Sequence, residues 1–359
     1  MTDTGGRLAA PELLPRRPRG RRGLSFLAGV ANWLVTLAIT LLGLMVVTFA
    51  LAELSPADPA LHLAGDKATE ATYQAARQTL GLDDPLPQRF AAYVGNVLTG
   101  NLGTSWSTNQ PVFGDIVRVF PATLELATVA ILFGALIGVA LGVLAALRPR
   151  GLIDGIVRII SLIGYSVPIF WLGLLFLLLF YARLHWAAGP GRLSDIYAYT
   201  ITPVTGFYLI DTALWGEEGS FLDTLSHLVL PASVLAIHSL ASISRLTRAS
   251  LLGELGKEYA VAARAKGVGE VHLMLTHLLP NVAGTVLTVI ALAYATLLEG
   301  AVLTETVFGW PGLGRYMTTA IFASDMPAVL GGTLVIGVCF VIVNAITDIL
   351  ARIVDPRLS

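Results

Sequence analysis

A chain of 359 residues that is 55% hydrophobic and only 13% charged, with a mean hydropathy of +0.74, is too apolar for a soluble domain of this size. A net charge of −1 excludes a strongly basic nucleic-acid binder, and the composition reads as an all-α polytopic membrane protein. Six segments approach or reach the roughly 20 residues that cross a bilayer core: 27–52, 126–147, 159–181, 228–243, 282–298 and 329–343.

Residues 1–23 hold Arg7, Arg16, Arg17, Arg19, Arg21 and Arg22 among Pro and Gly and read as a disordered basic tail on anionic headgroups, each cation contributing about 1 kcal/mol. The apolar run that follows is far longer than the roughly 7–15 residues of a signal peptide's core, so 24–52 is expected to be an uncleaved first span. Arginines Arg21 and Arg22 read as topogenic charge rather than as a twin-arginine signal. Sixteen of the 23 basic residues fall in the tails and alternate connections, which places both termini in the cytoplasm.

Residues 53–120 are expected to form a small external domain. Spacing predicts a helix over 69–80, with Thr69 as N-cap and Gly81 as terminator, and a second over 87–98 that puts Phe90, Tyr93, Val94 and Val97 on one face. Gly100 and Gly103 break the chain before Trp106. The remainder, 121–359, reads as a five-helix core in which Pro121 opens the second span. That span repeats Ala130, Gly134, Gly138, Gly142 and Ala146 at intervals of four, a stripe that lets a neighbouring helix approach closely.

The external connection 182–226 is acidic and aromatic, with Asp195, Asp211, Glu217, Glu218 and Asp223. It is either a hydrated surface, which composition favours, or a landing face for a soluble partner. The single cysteine, Cys339, lies in the last span and reads as an unreactive apolar side chain.

The connection 245–280, on the basic side, contains an alanine-rich stretch: Glu258, Tyr259, Ala260, Val261, Ala262, Ala263, Arg264, Ala265, Lys266 and Gly267. Alanine favours helix and Gly267 would end it. Tyr259, Ala262, Ala263 and Lys266 share a face, aromatic at one end, shallow in the middle and cationic at the other. Such a ridge fits either a groove in another protein or the membrane surface. On the opposite side, Phe308, Trp310, Pro311, Gly312, Gly314 and Arg315 make a tight turn with an apolar wedge, read as an interfacial aromatic anchor or as a gate or docking element.

The stretch from Glu258 to Gly267 resembles the cytoplasmic coupling motif of ABC-importer permeases. Ala262, Ala263, Gly267, Leu279 and Pro280 match its pattern. Val261 stands in place of its glutamate and His277 in place of an aliphatic residue. It is similar to the peptide branch at Glu258, Tyr259, Ala263, Arg264, Ala265, Lys266 and Gly267. Further likeness to dipeptide and oligopeptide permeases runs through Leu80 to Asp83, Pro85 to Pro87, Gly100 to Gly103, Pro121 to Glu125, Glu305 to Arg315 and Asp355 to Arg357. The resemblance implies a permease subunit of the cytoplasmic membrane. It would pair with a second homologous permease, two ATPase subunits that hold the ATP and Mg, and an external substrate-binding protein, with no nucleic acid and no cofactor of its own. Peptides are the substrate it implies; nickel and glycosides are carried in the same branch.

No phosphate-binding loop occurs, so ATP hydrolysis would belong to other chains. An ion-coupled secondary transporter is the first rival and wants ionisable groups at mid-membrane. Glu125, Arg158, Glu299 and Asp348 read as lying near span ends, and His238 inside a span reads as a hydrogen-bonded packing residue. An intramembrane enzyme is the second rival. His272 and His277 are five apart and are expected on different helix faces, while His227 and His238 show no carboxylate at suitable spacing, so no catalytic constellation or metal set emerges.

Overall fold

The structure, a computed structural model, describes residues 21–65 and 67–354, with side chains for all of these except 21–32, 348 and 351–354. The basic tail, Asp348, Arg352 and the Asp355 to Arg357 segment therefore lie outside the residues whose side chains are described.

The described chain is all helical. In order it runs α1 (Arg21–Leu54), α2 (Pro59–Ala64), α3 (Glu70–Thr79), α4 (Leu86–Leu98), α5 (Val112–Leu147), α6 (Leu152–Ser166), α7 (Ile169–Phe176), α8 (Asp195–Ala198), α9 (Tyr208–Trp215), α10 (Ser220–Leu255), α11 (Glu258–Ala265), α12 (Glu270–His272), α13 (Leu279–Val307), α14 (Leu313–Phe322) and α15 (Met326–Val354). Two π-helical turns, Leu177–Arg183 and Leu273–Leu278, continue α7 and join α12 to α13. The chain divides within α1 into two units, Met1–Gly43 and Leu44–Ser359. In the first, α1 exposes Trp33, Leu34, Val35, Ile39 and Leu42, a surface suited to lipid.

Among the described residues five helices are long and apolar enough to cross a membrane, and a bent pair, Leu152–Ser166 with Ile169–Arg183, makes a sixth if its halves are one span. This is a multi-pass membrane protein. The third span departs from the unbroken helix expected over 159–181: its halves meet at 104°. Pro168 explains the break, because a residue ahead of proline is pushed out of the helical region, and Val167 is extended at φ −90°, ψ 125°. The spans expected over 228–243 and 282–298 are much longer, at Ser220–Leu255 and Glu270–Val307. Arg245 and Arg248, expected in a connection, consequently lie inside α10, as Arg158 lies inside α6. Pro121 sits well inside α5 rather than at its start.

Before the core, local signals act as read. The Thr69 hydroxyl accepts from Thr72 N at 3.3 Å, capping α3, and Gly81 follows at φ +63°. Phe90 and Tyr93 of α4 pack their rings 5.3 and 5.7 Å from Phe49, and the Tyr93 and Thr48 hydroxyls are hydrogen bonded at 2.8 Å.

The core is α5 against α10, with α13 alongside, built from Leu126, Ala127, Ala130, Leu228, Leu235, Ile243 and Leu297. Small residues on α5 set the approach. A Cβ on Gly142 would stand 2.7 Å from Thr247 Cβ and 2.9 Å from Ser244 O, and one on Gly138 would stand 3.1 Å from Ile243 Cβ. Gly134 faces Ser239 and the Ala236 carbonyl in the same way. Gly142→Ala is expected to lower stability by about 1–3 kcal/mol, the cost of overpacking. Gly155→Ala, whose Cβ would meet nothing within 4 Å, should leave it unchanged or raise it by up to about 1 kcal/mol through helix propensity. Unfolding of the two variants in mild detergent measures the difference; equal midpoints would refute it.

Candidate functional site: a short helix outside the bundle and a buried polar turn

Helix α11 begins after a break at Gly256 and Lys257 and ends in a Schellman cap. Val268 N donates to Ala263 O at 3.1 Å and Gly267 N donates to Arg264 O at 2.9 Å, with Gly267 at φ +84°. That left-handed backbone suits glycine. Ala260 is fully buried in a cluster with Val143, Leu251, Leu273, Leu278 and Val286, against which Ala263 and Val268 also pack. The helix is thus seated on α10 and the π-helical turn before α13, with Ala260 at the centre of its inward side.

Its other residues face outward. Glu258, Tyr259, Val261, Ala262, Arg264, Ala265, Lys266 and Gly267 are exposed. The expected face therefore divides: Tyr259, Ala262 and Lys266 point out, whereas Ala263 is half-buried beside Ala260. Arg264 is not a free cation, because its Nε and Nη2 donate to Glu270 Oε1 and Oε2 at 2.9 and 3.0 Å. Tyr259 donates to Glu254 Oε2 at 2.6 Å. Burial, together with that carboxylate, raises the Tyr259 pKa above the ordinary phenol value, so the hydroxyl stays a donor at neutral pH.

Beyond α11, the π-helical turn corrects the reading of the two histidines. Five residues make one turn's step in π geometry, and the rings of His272 and His277 meet edge to face at 5.9 Å. Both are exposed. Among the described residues no group of three or more His, Cys, Asp or Glu side chains could hold a metal ion.

At the opposite end of α13, the turn after Val307 is interior structure rather than a lipid-interface anchor. Phe308 and Trp310 are buried, Trp310 completely, and the Trp310 indole donates to Ala122 O at 2.9 Å. Glu305 is also fully buried. Its Oε1 accepts from Thr123 Oγ1 at 2.6 Å and its Oε2 from Arg315 N at 3.0 Å. A Cβ at Gly312 would run into that carboxylate, and one at Gly314 into Val302. The glycines of this turn are there for close approach, and Pro311 holds its start. The Arg315 side chain donates back to Gly309 O at 2.6 Å.

A second buried charge lies beside it. Arg192 donates to Glu125 Oε2 from Nε at 3.0 Å and from Nη2 at 2.5 Å, and to Gly206 O at 2.7 Å, while Glu125 Oε1 accepts from Leu209 N at 2.7 Å. The guanidinium lies 4.0 Å over the Tyr208 ring and 5.6 Å from that of Trp310. Glu125 therefore lies within α5 and is neutralised by a residue of the 182–226 connection.

That connection is less hydrated than its composition indicates. Asp211 is fully buried and accepts from Val204 N, Thr205 N, Thr205 Oγ1 and Gly206 N. Burial resists its ionisation, yet those donors outweigh it and hold its pKa below the usual carboxylate value. Asp223 accepts from Ser194 N and Oγ at 2.8 and 2.6 Å, and it sits 3.8 Å from His227 Nε2. His227 does have a carboxylate at suitable spacing, one helical turn earlier. The Ser194 hydroxyl donates to Asp223 and also lies 3.2 Å from His227 Nε2, while the imidazole Nδ1 donates to Gly189 O at 3.1 Å. This arrangement fastens the connection to α10.

Sequence reasoning missed Arg192, Thr123 and Asp211 as structural partners. Only the Asp223 and His227 spacing was visible locally, at i, i+4.

Residues 138–359 match the family model of the binding-protein-dependent transport system inner membrane component, and residues 26–127 match the N-terminal model of such membrane components. The chain belongs to this family. Similar relatives of this transport-system component span nearly its whole length. The di/tripeptide transport system permease protein DppB of Pseudomonas aeruginosa is 44% identical over 92% of this chain and 98% of its own. The probable D,D-dipeptide transport system permease protein DdpB of Escherichia coli is 44% identical over 90% and 95%. The dipeptide transport system permease protein DppB of Escherichia coli is 41% identical over 89% and 95%.

Proposed function

We propose that this chain is a translocating subunit of an ATP-driven importer of short peptides in the cytoplasmic membrane, with both termini in the cytoplasm. The observation that carries the reading is 44% identity over 92% of the chain to a relative named for di- and tripeptide transport. In it, the chain pairs with a homologous permease and with two ATPase subunits that hold ATP and Mg, and an external binding protein delivers the substrate. Helix α11 is the docking element for the ATPase.

Its exposed ridge from Tyr259 to Lys266 lies in the ATPase groove, and its buried Ala260 carries the motion inward. Because α11 packs on α10 and on the π-helical turn that leads into α13, with Ala260 in their shared apolar cluster, a displacement of α11 acts first on those two segments; close-packed interiors transmit such shifts. Turning a 1:99 population into 99:1 takes about 5.5 kcal/mol of differential binding. The turn at Phe308, Trp310, Pro311, Gly312, Gly314 and Arg315 is a rigid stop at the outer end, against which that motion works.

Purification of the tagged chain in mild detergent is expected to bring down a second permease and ATPase subunits. The reconstituted assembly should take up alanyl-alanine only with ATP and binding protein. Uptake by the chain alone, driven by an ion gradient, would sink the reading, and uptake of nickel or a glycoside in place of the peptide would move the substrate.

A further inference from the structure

A cavity of about 340 Å³ opens between α6 and α10, lined in part by Arg158, Ser161, Tyr165, Ser166, Arg245 and Arg248. Two of its three guanidinium groups share one carboxylate: Arg158 Nη2 and Arg248 Nη2 lie 2.8 and 3.0 Å from Asp154 Oδ2, and Asp154 is fully buried. Arg245 lies 4.8 Å over the Tyr165 ring, which in turn stacks on His238 at 5.8 Å. Asp154, Arg158, Arg245 and Arg248 together therefore leave the cavity with an excess of positive charge, walled by apolar and hydroxyl side chains.

Position along α10 bears on what that charge faces. At 1.5 Å per residue, Arg245 and His238 stand roughly 15 and 26 Å along α10 from Leu255, and with Ser242 they share a face at i, i+4, i+7 spacing. The exposed face of α5 carries Leu132, Phe133, Leu136 and Ile137, as hydrocarbon requires. A row of His, Ser and Arg along a helix of membrane-crossing length is costly against lipid and marks a water-filled or protein-lined path.

We propose that this cavity binds the C-terminal carboxylate of the peptide in transit, with Arg245 as the residue that receives it. The inference rests on the peptide-import reading above. Arg158 and Arg248 are held by Asp154, so they supply field, whereas among the described residues Arg245 has only the aromatic face of Tyr165 to leave. The Arg245 guanidinium and the Ser166 hydroxyl match a carboxylate's acceptor oxygens, the Ser161 hydroxyl being paired with that of Ser244 at 3.2 Å. Every peptide carries that group whatever its side chains, so the site would grip the backbone terminus without selecting sequence.

The test uses the assembled complex in proteoliposomes with alanyl-alanine and its C-terminal amide. Arg245→Gln is expected to cut alanyl-alanine uptake about tenfold, the loss of one charge-assisted contact, to leave amide uptake unchanged, and to be largely restored in Arg245→Lys. A second measurement does not need the amide to be carried. With Cys339→Ser and Ser166→Cys, an anionic methanethiosulfonate should label faster than a cationic one, Arg245→Gln should reduce that preference, and alanyl-alanine should protect. Equal effects on both peptides, or none, overturn the proposal. So does labelling blocked by phosphatidylglycerol vesicles and not by peptide, which would assign the cavity to a lipid headgroup. A wild-type complex that carries no peptide at all fails the import reading itself, a result distinct from normal uptake unaffected by Arg245→Gln.

Discussion

Arg192→Met is expected to lower the stability of the purified chain by about 3–5 kcal/mol, the cost of leaving a buried charge without its partner. Both side chains of the pair are nearly inaccessible, at 6% and 3%, so water cannot replace the lost guanidinium. Glu125 would keep the Leu209 amide at 2.7 Å but lose both contacts to its Oε2. Removing both charges, as in Glu125→Leu with Arg192→Met, should recover more than half of the loss, because an apolar pair of similar volume carries no desolvation cost. Unfolding of the single and double variants in detergent forms the cycle. Additive losses would show that the two residues act separately and would contradict the geometry. A surface ion pair offers the contrast: Arg77 and Asp83, at 2.6 Å but 33% and 55% exposed, should contribute little to stability, because solvent screens the pair.

Coupling to ATP hydrolysis is the second large effect. Gly267→Asp and Arg264→Glu are each expected to reduce ATP-driven peptide uptake between about 5- and 150-fold, the span of typical coupling free energies. The routes differ. Aspartate at φ +84° strains the cap that ends α11, at a local cost of about 1–2 kcal/mol. Glutamate at 264 reverses an exposed charge that now meets Glu270, an interaction that contributes at most about 1 kcal/mol to the chain's own fold. Arg264→Glu therefore separates docking from folding: uptake should fall while the unfolding midpoint of the isolated chain barely moves. Normal uptake together with normal substrate-stimulated ATP hydrolysis in both variants would show that α11 is not the docking element.

How much of this could be read from residues alone depends on the range of the interaction. Span number and helical class follow from apolar length, and the Thr69 cap follows from a contact three residues away. The kink at Val167 and Pro168 was equally local and legible, yet an apolar run that continues past the proline hid it. Arg245, Arg248 and Arg158 read as connection residues in the sequence, which shortens the expected spans. In the fold two of them share the Asp154 carboxylate, and a basic residue paired in this way does not end a helix. Glu125 with Arg192 and Glu305 with Thr123 join residues 67 and 182 positions apart, and no periodicity reports such pairings. On α11 the outward ridge was legible from spacing, but the inward role of Ala260 was not, since alanine carries no signal of burial.

The π-helical turn at Leu273–Leu278 has one further consequence. Such a turn holds one residue more than the regular helix around it, and in regular geometry each residue advances the azimuth by about 100°. Erasing that surplus residue would rotate everything downstream by about that angle, swinging Val282 and Val286 away from Ala260 and turning Glu305 off Thr123. The phase of α13 relative to the chain before the turn is thus set by a single inserted amino acid.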